Sequence, residues 1–316
     1  MNIFNYIAIV LRNVFSNIHY LGKFDLASSI KHHNDIQEMI TKLSILSYFQ
    51  SNQSEAIAFS NELKYLYCTP DLDVFPYEQV KKLPTPIKAA FDPTRKLPFI
   101  VHQGKRLFFP ENWSLEDCEK SYTNFIEREN ILGGGYTSKA PHQYEDKNIK
   151  IEQNDILLDI GCAEGLLALD TIEKTKFTYL FEGNPIWIKP LQATFAPFSK
   201  KIKIINKYVS GNDSKSETTL ISLFGEIKNE SFFVKMDIEG AEADVLNSNQ
   251  SFFQSENFFK IACCTYHKKQ DAETISKILK KWDYSSHFSD GYMLYFVDKD
   301  FIPPYFRKGL IRAKNR

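Results

Sequence analysis

A surplus of charge is the first thing missing. The chain's 39 Lys and Arg balance 39 Asp and Glu, so no whole-chain field gathers a polyanion, and nucleic acid is not expected as a partner. Cysteine is scarce and badly spaced for structural use. Cys68, Cys118, Cys162, Cys263 and Cys264 make an odd set with no C-x-x-C pair, which argues against a disulfide framework and fits a reducing cytoplasm. Long apolar runs are absent from the first residues as well. The uninterrupted stretch from Tyr6 to Leu11 is far shorter than the roughly 20 residues that cross a bilayer, and no basic region precedes it, so neither a signal peptide nor an anchor is expected. Phe4, Ile7, Leu11, Val14 and Ile18 recur at helical spacing, and with Arg12 the only cation before residue 20 the core-facing reading outweighs a membrane-surface one.

The 316 residues divide by character. Helices are expected near residues 34–49 and 54–67, then Pro70, Pro76, Pro84, Pro86, Pro93 and Pro98 forbid long elements. PFIVHQGKRLFFP reads as two short strands about a Gln103-Gly104 turn, and Ser114 with Asp117 as a capping box for a helix reaching about Arg128. The glycines of GGGY, 133–136, end it. The expected division is therefore 1–135, a helical and irregular region that binds an acceptor or oligomerises, and 136–316, a catalytic domain. In the second half the apolar runs at 156–160, 178–182, 203–206, 232–237 and 260–266 alternate with helical patterns, which predicts β-α-β units and a mostly parallel sheet buried on both faces. A helix at about 271–282 leads to YMLYFV, expected to close the sheet as a hairpin strand.

Ligands of such sheets bind beyond the carboxyl ends of the strands. The first end, LLDIGCAEGLLAL, lacks G-x-G-x-x-G and the lysine of a phosphate loop, which counts against a nicotinamide-dependent oxidoreductase. Asp159 closes the strand, Gly161 and Gly165 permit a tight turn, and Glu164 at the following helix start repels a pyrophosphate. Acids on both sides of the turn suit a ligand with a cationic end, such as the amino group of S-adenosylmethionine. Glu182 ends the second strand about twenty residues on, where a carboxylate holds ribose hydroxyls. The alternative for Glu182 is a helix cap before Asn184-Pro185.

FVKMDIEGAEADVL, 233–246, carries the sharpest signal. With D-x-G-x-x-x-G after the first strand, it resembles the FkbM-type family of class I S-adenosylmethionine-dependent methyltransferases, whose signature strand reads K-x-D-x-E-G-A-E. TFAPF, NKYVSG, TTLISL and CTYHKKQDAE are similar to a branch of that family. The resemblance covers roughly 140–297 and leaves the first 130 residues unmatched. It implies a Rossmann-like α/β fold, with a seven-stranded, mostly parallel sheet whose last strand is antiparallel. It also implies O-methyl transfer, often to a sugar or glycan-like acceptor. The loop Asp159, Gly161, Cys162, Ala163, Glu164 and Gly165 would lie along the methionine part of the cofactor, Glu182 on its ribose, and Val209 and Ser210 beside the adenine. Ala163 stands where the family often has glycine. No N-P-P-Y-like motif follows the fourth strand, which counts against nucleic-acid methylation.

Transfer from a sulfonium is an in-line displacement, so the enzyme aligns donor and acceptor and removes a proton. Asp237 and His267 end neighbouring strands, and Asp237, His267 and Glu239 are the candidate catalytic residues. These three could also ligate a divalent ion, but at this spacing the signal is unspecific and no metal is expected. Glu242 is read as a charge for the first turn of its helix and Lys235 as a partner of Asp237 or Glu239. Tyr136, His142 and Tyr144, ahead of the first strand, are candidate lid contacts, with His142 and Tyr144 assigned to the cofactor. The cations Lys299, Arg307, Lys308, Arg312, Lys314 and Arg316 are read as a solvated tail, with peripheral membrane or glycolipid contact as the sharper alternative.

Overall fold

The structure, a computed structural model, describes residues 26–70, 72–77, 86–132, 140–296, 298 and 301–316, with side chains from residue 36 onward. The helix expected before residue 20, the glycines of 133–136 with Tyr136, and Lys299 lie outside the described residues.

A helix at Leu26–Ser51 and another at Ser60–Cys68 open the described chain. Strands β1 (Ala90–Asp92), β2 (Leu97–His102) and β3 (Lys105–Phe108) form an antiparallel sheet. Gln103 and Gly104, both left-handed with φ 48 and 80°, make the two-residue turn between β2 and β3. Ser114 caps the helix Leu115–Thr123 through the reciprocal capping box with Asp117. That helix relaxes into a wider π turn, Asn124–Glu129, before Asn130 at φ 52° ends it.

The main sheet uses β4 (Ile156–Ile160), β5 (Phe177–Phe181), β6 (Ile202–Ile205), β9 (Ser231–Met236), β10 (Phe258–Cys264), β11 (Ser285–Phe288) and β14 (Leu310–Lys314). Between them, β7 (Tyr208–Val209) pairs with β8 (Glu217–Thr218), and β12 (Met293–Leu294) with β13 (Phe306–Arg307). The order is β11-β14-β10-β9-β4-β5-β6, parallel except at β14, which runs antiparallel to both neighbours. This is the seven-stranded, Rossmann-like sheet expected; β4, β5, β6, β9 and β10 each fall within one or two residues of their apolar runs, whereas the edge strand β11, SSHF, had no run to mark it. Alternation along β4 sends Ile156, Leu158 and Ile160 to one buried layer and Leu157 to the other. The second layer also takes Leu107, Phe109, Tyr122 and Ile126 from before residue 135, so that stretch shares the sheet's core, while Ile45, Phe49, Leu63 and Leu66 of the opening helices pack in a separate cluster with Leu294 and Phe306.

Two expectations about the end of the chain are corrected. YMLYFV contributes only the two residues of β12, and the antiparallel strand is β14, drawn from the basic stretch read as solvated. The reason lies in its apolar positions. Leu310, Ile311 and Ala313 are fully buried, and the two cations between and before them find acceptors inside. Arg312 donates to the carbonyls of Gln143 and Tyr144, and Arg307 to those of Tyr266 and His267 and to Asp298. Burial fully compensated by hydrogen bonds is how a charged side chain enters a core.

The chain steps outward from β4 to β5 and β6 and then returns to place β9 on the other side of β4. The order of strand addition therefore reverses between the parallel neighbours β4 and β9, and the loops leaving those strands part there to form a crevice.

Candidate functional site

The crevice is lined by the two stretches with the strongest sequence signal. Gly161 leaves β4 at φ 73°, and a Cβ on it would lie 2.0 Å from the carbonyl oxygen of Asp237. Only glycine lets the β4 loop cross so close to the end of β9. Ala163 follows at φ 44°, and its N–H donates to Glu182 Oε2 at 2.9 Å. Glu182 Oε1 accepts from the N–H of Asn184 at 2.7 Å. Glu182 thus braces both loops as a cap does, while its carboxyl still borders the larger cavity.

Two cavities meet at this point. The larger, about 560 Å³, is lined by Gly161, Ala163, Glu182, Trp187, Tyr208, Val209, Ser210, Asp237 and Glu239, among others. The smaller, about 150 Å³, is lined by Glu129, His142, Tyr144, Asp159, Gly161, Cys162, Ala163, Glu164, Lys235 and Asp237, together with apolar side chains. Gly161, Ala163 and Asp237 belong to both, so the cavities form one bent space hinged at Asp237. The volume suits a ligand with a flat, aromatic end and a short polar end.

The smaller cavity carries opposed charges. Asp159 and Lys235 are register partners across β4 and β9, with Nζ to Oδ1 at 3.2 Å and both residues buried. Lys235 therefore pairs with Asp159, not with Asp237 or Glu239 as the spacing suggested. It also donates to the Gly161 carbonyl, which ties the loop to the strand. Glu164 is buried beside them, and desolvation pushes its pKa up to about 7.

Asp237 is gripped from several sides. Tyr144 donates to Oδ2 at 3.0 Å and Tyr266 to Oδ1 at 3.2 Å. His142 lies between two carboxylates, Nδ1 3.0 Å from Glu129 Oε2 and Nε2 3.4 Å from Asp237 Oδ2. Burial pulls the His142 pKa down, but the bonds and charges of Asp237 and Glu129 outweigh it and raise it to about 9. Burial alone would push the Asp237 carboxyl up. The hydrogen bond from His142 and the charges of His142, Lys235 and His267 instead hold it well below the usual carboxylate range. A carboxylate held so firmly ionised is a weak proton acceptor and a strong fixed negative charge.

His267 is buried, 5% exposed, not a surface histidine beside Lys268 and Lys269. Its Nδ1 lies 3.0 Å from Glu242 Oε1, and its Nε2 3.5 Å from Asp237 Oδ1 and 3.6 Å from Glu239 Oε2. Glu242, wholly buried in the first turn of its helix, accepts from the Ile238 N–H through Oε1 at 2.8 Å. Its place on the helix was legible; its contact with His267 was not. Glu239 stands at the cavity rim with φ 56°, a left-handed conformation unusual for this residue, and its side chain is exposed.

Of the residues expected to face a cofactor, Asp159, Gly161, Cys162, Ala163, Glu164, Glu182, Val209, Ser210, Asp237, His142 and Tyr144 all line one cavity or both. Gly165 is the exception. It caps the helix Leu166–Thr171 with φ 76° and faces Leu191 and Phe195, so its role is packing. Glu129, Lys235, Trp187 and Tyr208 were missed as lining residues. Trp187 ends a single 3-10 turn and Tyr208 opens the two-residue β7, elements too short for a periodicity to show which way a side chain faces. Glu129 ends a π turn that rotates it away from the helical face its spacing implies.

No protein-family model and no curated protein matches this chain. Among solved structures it is similar to methyltransferase FkbM from Methylobacillus flagellatus, with 18% identity over 55% of this chain and 47% of that one and a TM-score of 0.43. The aligned part thus spans about half the length of that protein. It is also similar to TYW2 of M. jannaschii in complex with AdoMet, 13% identical over 69% of this chain and 85% of that one, TM-score 0.38, and to a putative RNA methyltransferase from Pyrococcus horikoshii, 11% identical over 51% and 73%, TM-score 0.31. Likenesses this partial assign no function.

Proposed function

We propose that the chain is an S-adenosylmethionine-dependent O-methyltransferase that acts on a hydroxyl of a saccharide, surface glycan or glycolipid precursor. The observation that carries the cofactor is the bent space hinged at Asp237. Adenosine fits the larger arm, where Trp187 and Tyr208 offer flat faces and Glu182 a carboxylate for the ribose, and the amino-acid part fits the smaller arm. Charge supports the same placement. Glu129, Asp159, Glu164 and Asp237 outnumber the cations His142 and Lys235 around the smaller arm, an imbalance that favours a ligand bearing an ammonium and a sulfonium.

The cofactor supplies an activated methyl group. The chain's residues orient it, exclude water from the buried arm and hold negative charge near the sulfonium. The acceptor then approaches past Glu239 to Asp237, with His267 Nε2 3.5 Å from Asp237 Oδ1. Asp237's depressed pKa makes it the weaker proton acceptor of the two. The saccharide class rests on the sequence resemblance, and a cytoplasmic location on the cysteine pattern. The four described basic residues from Arg307 to Lys314 are mostly engaged within the fold, which weakens the tail as a membrane contact.

The test is transfer of radiolabelled methyl from S-adenosylmethionine to glycan, RNA and small-molecule acceptors in parallel. Label in the glycan fraction supports the reading. Binding of cofactor with no transfer to any acceptor favours a catalytically silent binding protein of the same fold, and label in a small molecule favours natural-product methylation.

A further inference from the structure

Three buried polar atoms beside the crevice lack partners. Glu242 Oε2 and both ring nitrogens of His267 make no aligned hydrogen bond, although Glu242 is fully buried and His267 95% so. The ring stands between carboxylates on both sides, 3.0 and 3.5 Å away. Orphaned buried groups are uncommon and costly, and several in one place mark a missing water or ion.

We infer that Asp237, Glu242 and His267 form a binding site for one divalent metal ion. Each offers a ligand atom, and the three atoms lie within 4.8 Å of one another. Ligand atoms about 2.1 Å from one ion stand roughly 3.0 to 4.2 Å apart, so the cluster is close to coordinating geometry and needs only small side-chain shifts. Two carboxylates and an imidazole suit manganese or zinc better than calcium or magnesium, which prefer oxygen alone. The surroundings are those of a metal site. Tyr266 holds Asp237 Oδ1 and the Ile238 N–H holds Glu242 Oε1, so two ligands are already oriented by outer partners. Asp237 and Glu239 border the larger cavity, which supplies an entry path. Glu239, exposed and 3.6 Å from His267, is placed to close over an ion as a fourth ligand.

The inference deepens the proposed function, since an ion here faces the route of the acceptor hydroxyl and would favour its ionised form. It does not depend on turnover. The metal-stripped full chain is titrated with Mn2+ and, separately, with Zn2+, by calorimetry and by the electron paramagnetic resonance of Mn2+. One ion per chain is expected, with affinity lowered at least about tenfold in His267→Gln and in Glu242→Gln. No binding of either ion overturns the site, and so does binding that both variants leave unchanged. Should a variant not fold, Mn2+ added to the wild-type chain must broaden the ring resonances of His267 while sparing His102, and the reverse pattern overturns the assignment. S-adenosylmethionine titrated in the presence of chelator keeps the two claims separate. Cofactor binding without metal binding refutes only the ion, and metal binding without cofactor binding refutes only the methyltransferase.

Discussion

His142→Gln removes the cation between Glu129 and Asp237, and its cost should depend on pH. Raising the imidazole pKa from an ordinary 6.5 to about 9 corresponds to about 3 kcal/mol of preferential binding of the proton in the folded state. The sign follows from the direction of the shift. The contribution is fully present below the unfolded pKa of about 6.5 and is lost as pH rises through about 9. Removing one partner of a buried charge cluster costs roughly 3–5 kcal/mol, because Asp237 and Glu129 lose the cation that stands between them. The variant should therefore be less stable than wild type by about that amount at pH 6, and the gap should shrink by about 3 kcal/mol by pH 10. Urea melts of both proteins across this range measure it. A gap that stays constant from pH 6 to 10 would refute the claim that His142 is charged in the fold.

Other substitutions probe the frame around the crevice. Lys235→Met leaves Asp159 buried without its counterion and should cost about 3–5 kcal/mol, with partial recovery in the Lys235→Met, Asp159→Asn double variant; a double-mutant cycle with no coupling would contradict the pair. Gly161→Ala places a Cβ 2.0 Å from the Asp237 carbonyl oxygen at a positive φ, so chemical denaturation should show a loss above about 1 kcal/mol, and an unchanged midpoint would be contrary. Arg312→Met strips the carbonyls of Gln143 and Tyr144 of their donor. We expect a loss of about 2 kcal/mol and faster proteolysis near residue 140.

The centre of the sheet was legible because β4, β9 and β10 are buried on both faces and are rich in apolar residues, while the half-exposed edge strand β11, SSHF, gave no such run. The loop ends were legible because glycine and acid cluster where strands stop. β14 was hidden by its cations. Arg312 looks solvated until Gln143 and Tyr144 supply two carbonyls from a segment 168 and 169 residues earlier, and no local pattern contains such a contact. Glu242 shows the same limit. Its position in a first helical turn follows from the sequence, whereas the approach of His267 depends on β9 and β10 being neighbours in register. Asp237 was readable as a site residue, but its weakness as a base was not, because that arises largely from His142, His267 and two tyrosines drawn from other elements.

Cofactor binding is tested most directly by calorimetry with S-adenosylmethionine and S-adenosylhomocysteine. One molecule of either ligand per chain is expected, each displacing the other, with binding weakened at least about tenfold by Glu182→Ala, which removes the carboxylate from the ribose end of the space. No binding of either ligand to the folded wild-type chain would contradict the proposed function.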